Sequence, residues 1–317
     1  ATYDRFAQLV DPDKVYVVTN ARYRALIEQQ LPELNRNQVL YEPVGRNTAP
    51  CIAYATYHIR QRDPEAVLVV SPADHLILGE ERFLNDLRLG LSAAQEQEII
   101  MTLGISPHRP DTGYGYIQYI DQPQNPGYFK VKTFTEKPSL EIAQKFIQSG
   151  DFVWNAGIFI FHNNTMVQAL ERHMVELNEL LAGVQGQLGG EGEPDAVQNV
   201  YSKCKNISID YGVMEKADNV HVIRSQIGWS DLGTWNSLYE QLEHDPQGNA
   251  LLGEVNTQNV SNTIVRVPKD KLAVLRNVQN LIVVDTEDAL LICTRDDEQA
   301  IKQIVTELKK DPNNPYL

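Results

Sequence analysis

The first third of the chain alternates short apolar runs with segments of helical periodicity. The runs 15–18 and 67–70 have the length and composition of buried strands, whereas 49–60 and 81–96 carry apolar residues at helical spacing. Alternation of this kind is typical of βαβ units around a mostly parallel sheet. The pattern therefore predicts an α/β fold, with 99–103 as a further strand.

The pattern changes in the middle of the chain. Segments 116–119 and 129–134 alternate apolar with polar residues, which predicts exposed antiparallel strands laid across the main sheet. A helix with one apolar face is expected between Pro138 and Gly150. The glycine-rich stretch 183–192 follows no strand, so we expect a mobile surface loop there rather than a phosphate cradle.

From about residue 248 onward, short strands are separated by turn residues, which predicts a small all-β appendage. No clean internal repeat stands out. The last helix is expected over 298–309, with a buried face formed by Ala300, Ile301, Ile304, Val305 and Leu308. We therefore expect two domains, 1–247 and 248–317.

Composition excludes several classes of protein. The 317 residues are 42% hydrophobic and 22% charged, which suits a substantial folded core. Lys and Arg total 28 against 42 Asp and Glu, so the net charge of -14 argues against nucleic acid as a partner. The apolar runs fall far short of the roughly 18–20 residues that cross a bilayer, and no leader-like segment opens the chain. We expect a cytoplasmic protein that is not embedded in a membrane.

The most informative strand end is the segment SPADH, 71–75. An apolar run stops at a proline and then presents Asp74 and His75. Ligands of open α/β sheets bind beyond such strand ends, so Asp74 is a candidate Mg²⁺ ligand, although it could equally cap the next helix. No Cys or His lies at ligand spacing from His75, which favours a local hydrogen bond over zinc.

A second acidic candidate, Asp231, lies in the segment GWSDLGTW, 228–235. Two glycines permit a tight turn there, and two tryptophans can anchor it to a core. By itself the segment is more typical of a structural turn. A functional interpretation requires that Asp74 and Asp231 converge on one ion.

Three further segments offer polar groups to a ligand. In FTEKP, Lys137 could hold a phosphate and Glu136 could accept from sugar hydroxyls, or both could form a solvated strand edge. In TGYG, Gly113 permits close backbone approach, but such a segment is also ordinary in hairpins. In WNAG, Asn155 could read a hydroxylated ligand or satisfy a turn.

The segment GRNTAP, 45–50, leads into a predicted helix. Its Arg46 and the free N–H groups of the helix start would attract an anion, and Pro50 suits the first turn. No Gly-Lys-Ser/Thr follows, so the segment is not a Walker A loop.

Taken in order, the segments GRNTAP, SPADH, TGYGYI, FTEKP, WNAGIF, SIDYGVMEK and GWSDLGTW resemble the mannose-1-phosphate guanylyltransferases, also called GDP-mannose pyrophosphorylases. The resemblance covers residues 1 to about 240 by motif. It implies a Rossmann-like, glycosyltransferase-A-like mixed sheet. The β-rich tail agrees with the short left-handed β-helix of this family. Because no isomerase domain follows it in this sequence, we expect a chain similar to the single-function members.

The resemblance implies an activity. Members transfer GMP from GTP to α-D-mannose 1-phosphate, giving GDP-mannose and pyrophosphate by in-line attack. By position, Asp74 and Asp231 would hold the catalytic Mg²⁺, and Lys137 would act with them. The sugar phosphate would contact Gly113, Glu136, Lys137, Asn155 and Asp210. The nucleotide would contact Glu42, Arg46, Asn47 and Thr48. We also expect a homodimer, because a tail of short strands offers edges for pairing.

One departure from the family concerns its glycine-rich signature loop, GGxGxRLxPxSRxxxPK, which is absent from the printed chain. We therefore expect this form to turn over poorly. Two alternatives stay open: another sugar-1-phosphate nucleotidyltransferase, such as a thymidylyl- or uridylyltransferase, and a catalytically silent sugar-nucleotide-binding regulatory subunit. GRNTAP and GWSDLGTW favour the guanylyl group, and the retention of Asp74, Asp231 and Lys137 favours an enzyme.

Overall fold

The computed structural model describes residues 1–122, 127–311 and 314–316. The chain folds as two compact units, Ala1–Trp229 and Ser230–Leu317. The domain boundary predicted at 247/248 stays a prediction, and part of the predicted second domain, at 312–313 and 317, lies outside the described residues. Among the described helices, none has both the length and the hydropathy that a bilayer crossing requires.

The helices follow the periodicity of the sequence closely in the first unit. For example, the helix predicted over 49–60 begins one residue earlier, after Asn47, whose side chain accepts from the Thr48 amide. The α-helices are α1 Thr2–Ala7, α2 Arg24–Gln30, α3 Thr48–Arg60, α4 Glu80–Glu96, α5 Leu140–Ser149, α6 Asn163–His173, α7 Val175–Val184, α8 Glu193–Lys203, α9 Trp235–Tyr239 and α10 Ala300–Leu308.

The described strands have two to eight residues, except β8, which has eleven. They are β1 Val17–Asn20, β2 Val39–Glu42, β3 Val67–Val70, β4 Leu76–Ile77, β5 Ile100–Ile105, β6 Gly115–Tyr119, β7 Phe129–Glu136, β8 Phe152–His162, β9 Val220–Ser225, β10 Trp229–Ser230, β11 Ala250–Leu252, β12 Glu254–Ser261, β13 Ile264–Arg266, β14 Leu272–Gln279, β15 Leu281–Asp285 and β16 Leu290–Thr294.

The main sheet of the first unit has six strands in the order β3-β8-β5-β9-β7-β6, and β8 also pairs with β6. Among the described residues, β5 and β9 form its parallel pair, and the other pairings are antiparallel. The α/β class with a mixed sheet is therefore confirmed, whereas the mostly parallel sheet is wrong. Strand β8 causes the difference, because it runs antiparallel between β3 and β5.

Helices cover both faces of this sheet, and the alternation in β8 shows why. Phe159 and Phe161 pack into the cluster formed with α3, α6, α7 and α8, whereas Ile158 and Ile160 pack into the cluster formed with α4. All four side chains are at most 3% exposed. Each such buried side chain contributes about 1.5–3 kcal/mol, so β8 anchors the residues that it carries.

Two other predictions about the first unit need correction. Strand β6 is not exposed: Tyr116 and Ile117 have no solvent-accessible surface, because Ile117 packs into the cluster on one face of the sheet and Tyr116 into the cluster on the other. The stretch 183–192 is not simply a loop. Gly183 lies inside α7 and a 3₁₀ helix covers Gln185–Gln187, so helical structure continues into the glycine-rich segment.

The second unit contains coils of parallel strands, and β16 adds to them by pairing antiparallel with β15. Residues of β12 pair with residues eighteen positions later in β14, as Glu254 does with Leu272, and Ile264 pairs with Ile282 at the same offset. Asn259, Asn262, Asn277 and Asn280 have φ between 51° and 57° and form equivalent corners. The prediction that no clean repeat exists is therefore wrong, whereas the small β-helix-like domain is confirmed.

The last helix, α10, forms where the periodicity predicts it but does not bury its apolar face. Ile304, Val305 and Leu308 are 52%, 37% and 39% exposed, so the predicted burial of these side chains is wrong. Periodicity identifies the apolar side of a helix, but it does not reveal whether another element covers that side.

Candidate active site

The end of β7 presents two adjacent opposite charges on the same side of the chain. Strand geometry would send the side chains of Glu136 and Lys137 to opposite faces, but Lys137 has φ 48° and turns back. Its Nζ donates to Glu136 Oε1 at 2.5 Å. A left-handed conformation costs a non-glycine residue about 1–2 kcal/mol. Strain of this kind concentrates at functional sites.

Strand β6 supports this pair from the side. The Lys137 amide donates to the Tyr114 carbonyl at 3.2 Å, and Gly115 lies directly opposite Glu136 in the sheet. A Cβ atom at position 115 would lie only 2.5 Å from Glu136 Oε2. Glycine at this position therefore leaves room for the carboxylate of Glu136.

Strand β8 supplies the amide of Asn155 through a local irregularity. Thr102 pairs with Phe159 and Gly104 pairs with Asn155, so β8 has extra residues here and bulges, with Gly157 at φ 67°. The Asn155 Oδ1 accepts from the Gly157 amide at 3.0 Å, and it lies 3.3 Å from the Thr102 hydroxyl, which shares its proton between this oxygen and the Ile158 carbonyl at 3.0 Å. The side chain is therefore held in one orientation with its NH₂ group directed away from these donors.

That NH₂ group donates to Asp210 Oδ1 at 3.0 Å. Asp210 begins a π-helix, Asp210–Met214, in which the Glu215 amide donates to the Asp210 carbonyl. Such helices are rare and frequently lie at functional sites. Burial, followed by the nearby charge of Glu136, raises the pKa of Asp210 to about 6.

Four predicted sugar-phosphate residues, Glu136, Lys137, Asn155 and Asp210, therefore lie in one cluster. Burial lowers the pKa of Lys137, but the hydrogen bond and charge of Glu136, with the charge of Asp210, outweigh it and leave that pKa above its ordinary value. The lysine remains protonated near neutral pH. The cluster combines a positively charged ammonium group with two carboxylates and a side-chain amide. These groups can bind the phosphate and the hydroxyls of a phosphorylated polyol.

The segment around Gly113 shows groups that the sequence did not single out. The Gly113 amide donates to Asp111 Oδ1 at 2.7 Å, and Arg109 pairs with Asp111 Oδ2 at 2.9 Å. The Arg109 guanidinium also lies 5.4 Å from the centre of the Trp154 ring, next to Asn155 in the chain. Arg109 and Asp111 fix this loop, and the short spacing R-P-D before TGYG is the signal that could have revealed them.

The predicted nucleotide residues lie at the end of β2 and the start of α3. Glu42 accepts from the Tyr201 hydroxyl at 2.9 Å; burial raises its pKa, and that hydrogen bond opposes the rise. Arg46 Nε donates to the Tyr201 carbonyl at 3.1 Å. Asn47, at φ 67°, caps α3, and Thr48 follows it.

Asp74 lies on the exposed turn between β3 and β4. Its carboxylate makes no hydrogen bond or ion pair with another described residue, and the next long helix, α4, is capped at Gly79 instead. The capping alternative is therefore wrong. His75 takes part in a hydrogen bond, as its Nδ1 accepts from the Trp229 indole at 3.1 Å, but the partner is distant in the sequence rather than local.

Asp231 belongs to the second unit. Its Oδ1 accepts from the Gly233 amide at 2.9 Å, and Leu232 between them has φ 49°. This is the structural turn that the sequence suggested. A Cβ on Gly233 would lie 2.5 Å from Asp231 Oδ2, so the glycine leaves room for the carboxylate. Since Asp74 lies in the other unit, the convergence of the two acids stays a prediction.

Comparison with known proteins identifies matches over both parts of the chain. The nucleotidyl transferase family model matches residues 2–248. A model described as MannoseP isomerase/GMP-like beta-helix domain matches residues 254–308. These matches confirm the fold class, a nucleotidyl transferase domain followed by a β-helix-like domain.

Individual relatives confirm the motif resemblance. The chain is 34% identical to the mannose-1-phosphate guanylyltransferase of Klebsiella pneumoniae over 307 residues, covering 95% of this chain and 64% of the relative. It is 35% identical to the mannose-1-phosphate guanylyltransferase ManC of Salmonella typhimurium over 319 residues, covering 97% and 65%. The chain thus spans slightly less than two thirds of these curated relatives.

A solved structure extends the likeness to three dimensions. It is described as mannose-1-phosphate geranyltransferase from Thermus thermophilus and matches with a TM-score of 0.85 at 30% identity. The match covers 97% of this chain and 88% of that one.

Proposed function

The chain belongs to the nucleotidyl transferase family, and on this premise we propose that it transfers GMP from GTP to α-D-mannose 1-phosphate, releasing pyrophosphate. The relatives named as mannose-1-phosphate guanylyltransferases support the choice of substrates. The single observation that carries the proposal is the cluster of Glu136, Lys137, Asn155 and Asp210 at one strand edge.

Each member of this cluster has a distinct task in the proposal. Lys137 binds the phosphate of the sugar and neutralises part of its charge, while Glu136 and Asp210 accept from sugar hydroxyls. Asn155, held by Gly157 and Thr102, orients Asp210 and donates to the sugar. These contacts place the attacking phosphate oxygen, and an enzyme contributes to in-line transfer mainly through positioning and electrostatic stabilisation.

The nucleotide is proposed to lie beside Glu42, Arg46, Asn47 and Thr48. Arg46 brings a positive charge to this loop, and the start of α3 adds the partial positive charge of a helix N-terminus. Because GTP and mannose 1-phosphate are both anions, these groups and Lys137 offset a repulsion that the acidic chain as a whole would increase.

Asp74 and Asp231 are proposed to hold Mg²⁺. Their oxygen atoms are the donor type that this ion prefers, and the exposed Asp74 carboxylate has no partner among the described residues that it would have to release. Bound Mg²⁺ would neutralise charge on the phosphates of both substrates.

The test crosses GTP, ATP, UTP and dTTP with mannose 1-phosphate and glucose 1-phosphate, with pyrophosphate release as the readout in the natural gene product. We expect GTP with mannose 1-phosphate to exceed every other pair by about tenfold or more. Preference for UTP or dTTP with glucose 1-phosphate would reassign the enzyme. Binding of the sugar nucleotide without turnover would indicate a regulatory subunit.

We also propose a cytoplasmic homodimer. Charged substrates such as these do not cross membranes unaided, and the second unit exposes Leu272 and Val274 on β14, which are 62% and 66% exposed. A Val274→Lys variant should shift the mass in sedimentation equilibrium toward the monomer, whereas Asn199→Lys on the exposed side of α8 in the first unit should not. A parent chain that sediments as a monomer would contradict the dimer.

A further inference from the structure

The loop that carries the predicted nucleotide residues is bonded directly to the segment that precedes Asp210. The Ile207 amide donates to the Arg46 carbonyl at 3.3 Å, and the Ala49 amide donates to the Ile207 carbonyl at 3.1 Å. The Ile209 amide donates to the Thr48 hydroxyl oxygen at 2.9 Å. These three hydrogen bonds hold segments 46–49 and 207–209 together, so we expect the two segments to move together.

The bond to Thr48 is the one nearest to the sugar cluster. Ile209 is 1% exposed and caps the π-helix, so its amide sets the start of the helix whose first residue is Asp210. The amides that follow are satisfied locally: Tyr211 donates to the Ser208 hydroxyl at 3.3 Å and Gly212 to the Ser208 carbonyl at 2.9 Å. Thr48 is therefore the side chain from outside this segment that fixes the Ile209 amide.

Thr48 is also suited to face a ligand. It is exposed, and its hydroxyl accepts from Ile209 while keeping its own proton for another acceptor. Asn47, strained at φ 67°, holds the residue at the first position of α3. A nucleotide oxygen bound to this hydroxyl would polarise the bond to Ile209 and strengthen it.

We infer that Thr48 is a positioning residue that couples the nucleotide loop to the sugar cluster by holding Asp210 in place through Ile209. The inference rests on the proposed function. It implies that loss of the Thr48 hydroxyl weakens binding of the sugar phosphate even though Thr48 belongs to the nucleotide loop. By linkage, each substrate then raises the affinity for the other.

The test is calorimetric titration of the chain with mannose 1-phosphate without added metal or nucleotide. Thr48→Val removes the acceptor and should raise the Kd about five- to tenfold, the effect of losing one hydrogen bond to a buried amide. Thr48→Ser restores the acceptor and should recover most of the affinity. The matched control is Thr56→Val in the same helix, whose hydroxyl donates to the Ile52 carbonyl and should leave the Kd within about twofold.

A double-mutant cycle separates positioning from general loosening. If Thr48 acts through Asp210, adding Thr48→Val to Asp210→Asn should change the Kd less than about twofold. An effect of equal size in both backgrounds, or a Thr48→Ser variant as weak as Thr48→Val, would overturn the inference. A parent chain that fails to bind mannose 1-phosphate would instead overturn the proposed function, and the inference with it.

Discussion

The sugar cluster and the two predicted metal ligands are built in opposite ways. Glu136, Lys137, Asn155 and Asp210 lie on adjacent strands and a π-helix, and each is bonded to another member of the cluster. Asp74 lies on an exposed turn without a partner among the described residues. Asp231 lies on a turn of the other unit.

The difference teaches which part of the reaction the fold prepares in advance. The sugar side is organised before any ligand binds, at the expense of burying Asp210 and straining Lys137. The metal side depends on an ion and phosphates for its final arrangement. Substitutions on the metal side should therefore affect turnover without changing metal-free binding of the sugar phosphate, whereas those on the sugar side should also change that binding.

The largest expected effect is on the metal side. Asp74→Ala and Asp231→Ala should each lower turnover of the natural gene product about 10²- to 10³-fold, because a ligand of the charge-neutralising ion is lost. Steady-state pyrophosphate release measures this. Metal-free binding of mannose 1-phosphate should not change.

The matched control for both alanine variants is Asp218→Ala, since its side chain is 85% exposed and lies 3.9 Å from Arg172 on the surface. Near-normal turnover in either Asp74→Ala or Asp231→Ala would show that the substituted residue is not a metal ligand. If either variant lost metal-free binding of mannose 1-phosphate, the proposed separation between a metal side and a sugar side would be wrong.

On the sugar side, Lys137→Met should raise the Kd for mannose 1-phosphate about 10- to 100-fold, since hydrogen bonds to charged groups contribute ~1.5–3 kcal/mol. Calorimetric titration measures it. Lys145→Met is the control, because Lys145 pairs with Glu141 on an exposed helix face. Equal affinities for the two variants would mean that Lys137 does not contact the phosphate.

The buried acid Asp210 should make the free energy of unfolding depend on pH. Asp210 has a pKa raised to about 6 from 3.8, so its native form binds a proton more tightly than the unfolded chain does. Stability from this group is present below about pH 4 and is lost as the pH rises through 6. Asp210→Asn should therefore stabilise the protein at pH 7 by ~1–2 kcal/mol after solvent screening, and this gain should vanish at pH 4.

Urea unfolding at both pH values measures the effect, with Asp218→Asn as the control. The same variant should bind mannose 1-phosphate less tightly, because a neutral amide accepts more weakly from hydroxyls. A variant that is less stable than the parent at pH 7 would show that the ionised Asp210 is not a source of strain.

The smallest effect expected is at Gly115. Gly115→Ala should raise the Kd for the sugar phosphate about three- to fivefold by pushing the Glu136 carboxylate aside, with less than ~1 kcal/mol change in stability. Titration and thermal unfolding together measure this split. Gly183→Ala, in α7 with open space around it, should instead be neutral or stabilising by up to ~1 kcal/mol. Unchanged affinity in Gly115→Ala would show that the Glu136 carboxylate has room to move.

Local sequence was sufficient to place the chemistry at strand ends. The apolar run 67–70 stops before Asp74, and the charge pair at Glu136 and Lys137 ends a strand as predicted. Local sequence did not reveal how the Glu136 and Lys137 side chains come to lie on the same side of the chain. The turn at Lys137 arises from a left-handed backbone that only the surrounding sheet can impose.

Long-range pairing explains most of the other differences. The sequence of β8 is apolar on both faces, which is compatible with either direction, so its antiparallel pairing with β3 and β5 could not be predicted. The π-helix at Asp210 has no periodicity of its own. The bulge that aims Asn155 depends on its register with β5.

The coil repeat is different, because its signal was present in the sequence. Asn, Val and Asn recur at 259, 260 and 262 and again at 277, 278 and 280, followed in both cases by Ile and Val. Only two copies occur, and most other positions differ, so the similarity did not stand out. Asparagine tolerates the left-handed corner that each coil needs.

The eighteen-residue offset between β12 and β14 also limits how this part of the molecule can change during evolution. Duplicating or deleting one whole coil keeps inward-facing positions inward-facing, whereas a gain or loss of any odd number of residues would reverse them along the rest of a strand. Homologous chains should therefore differ in length here mainly by steps of about one coil.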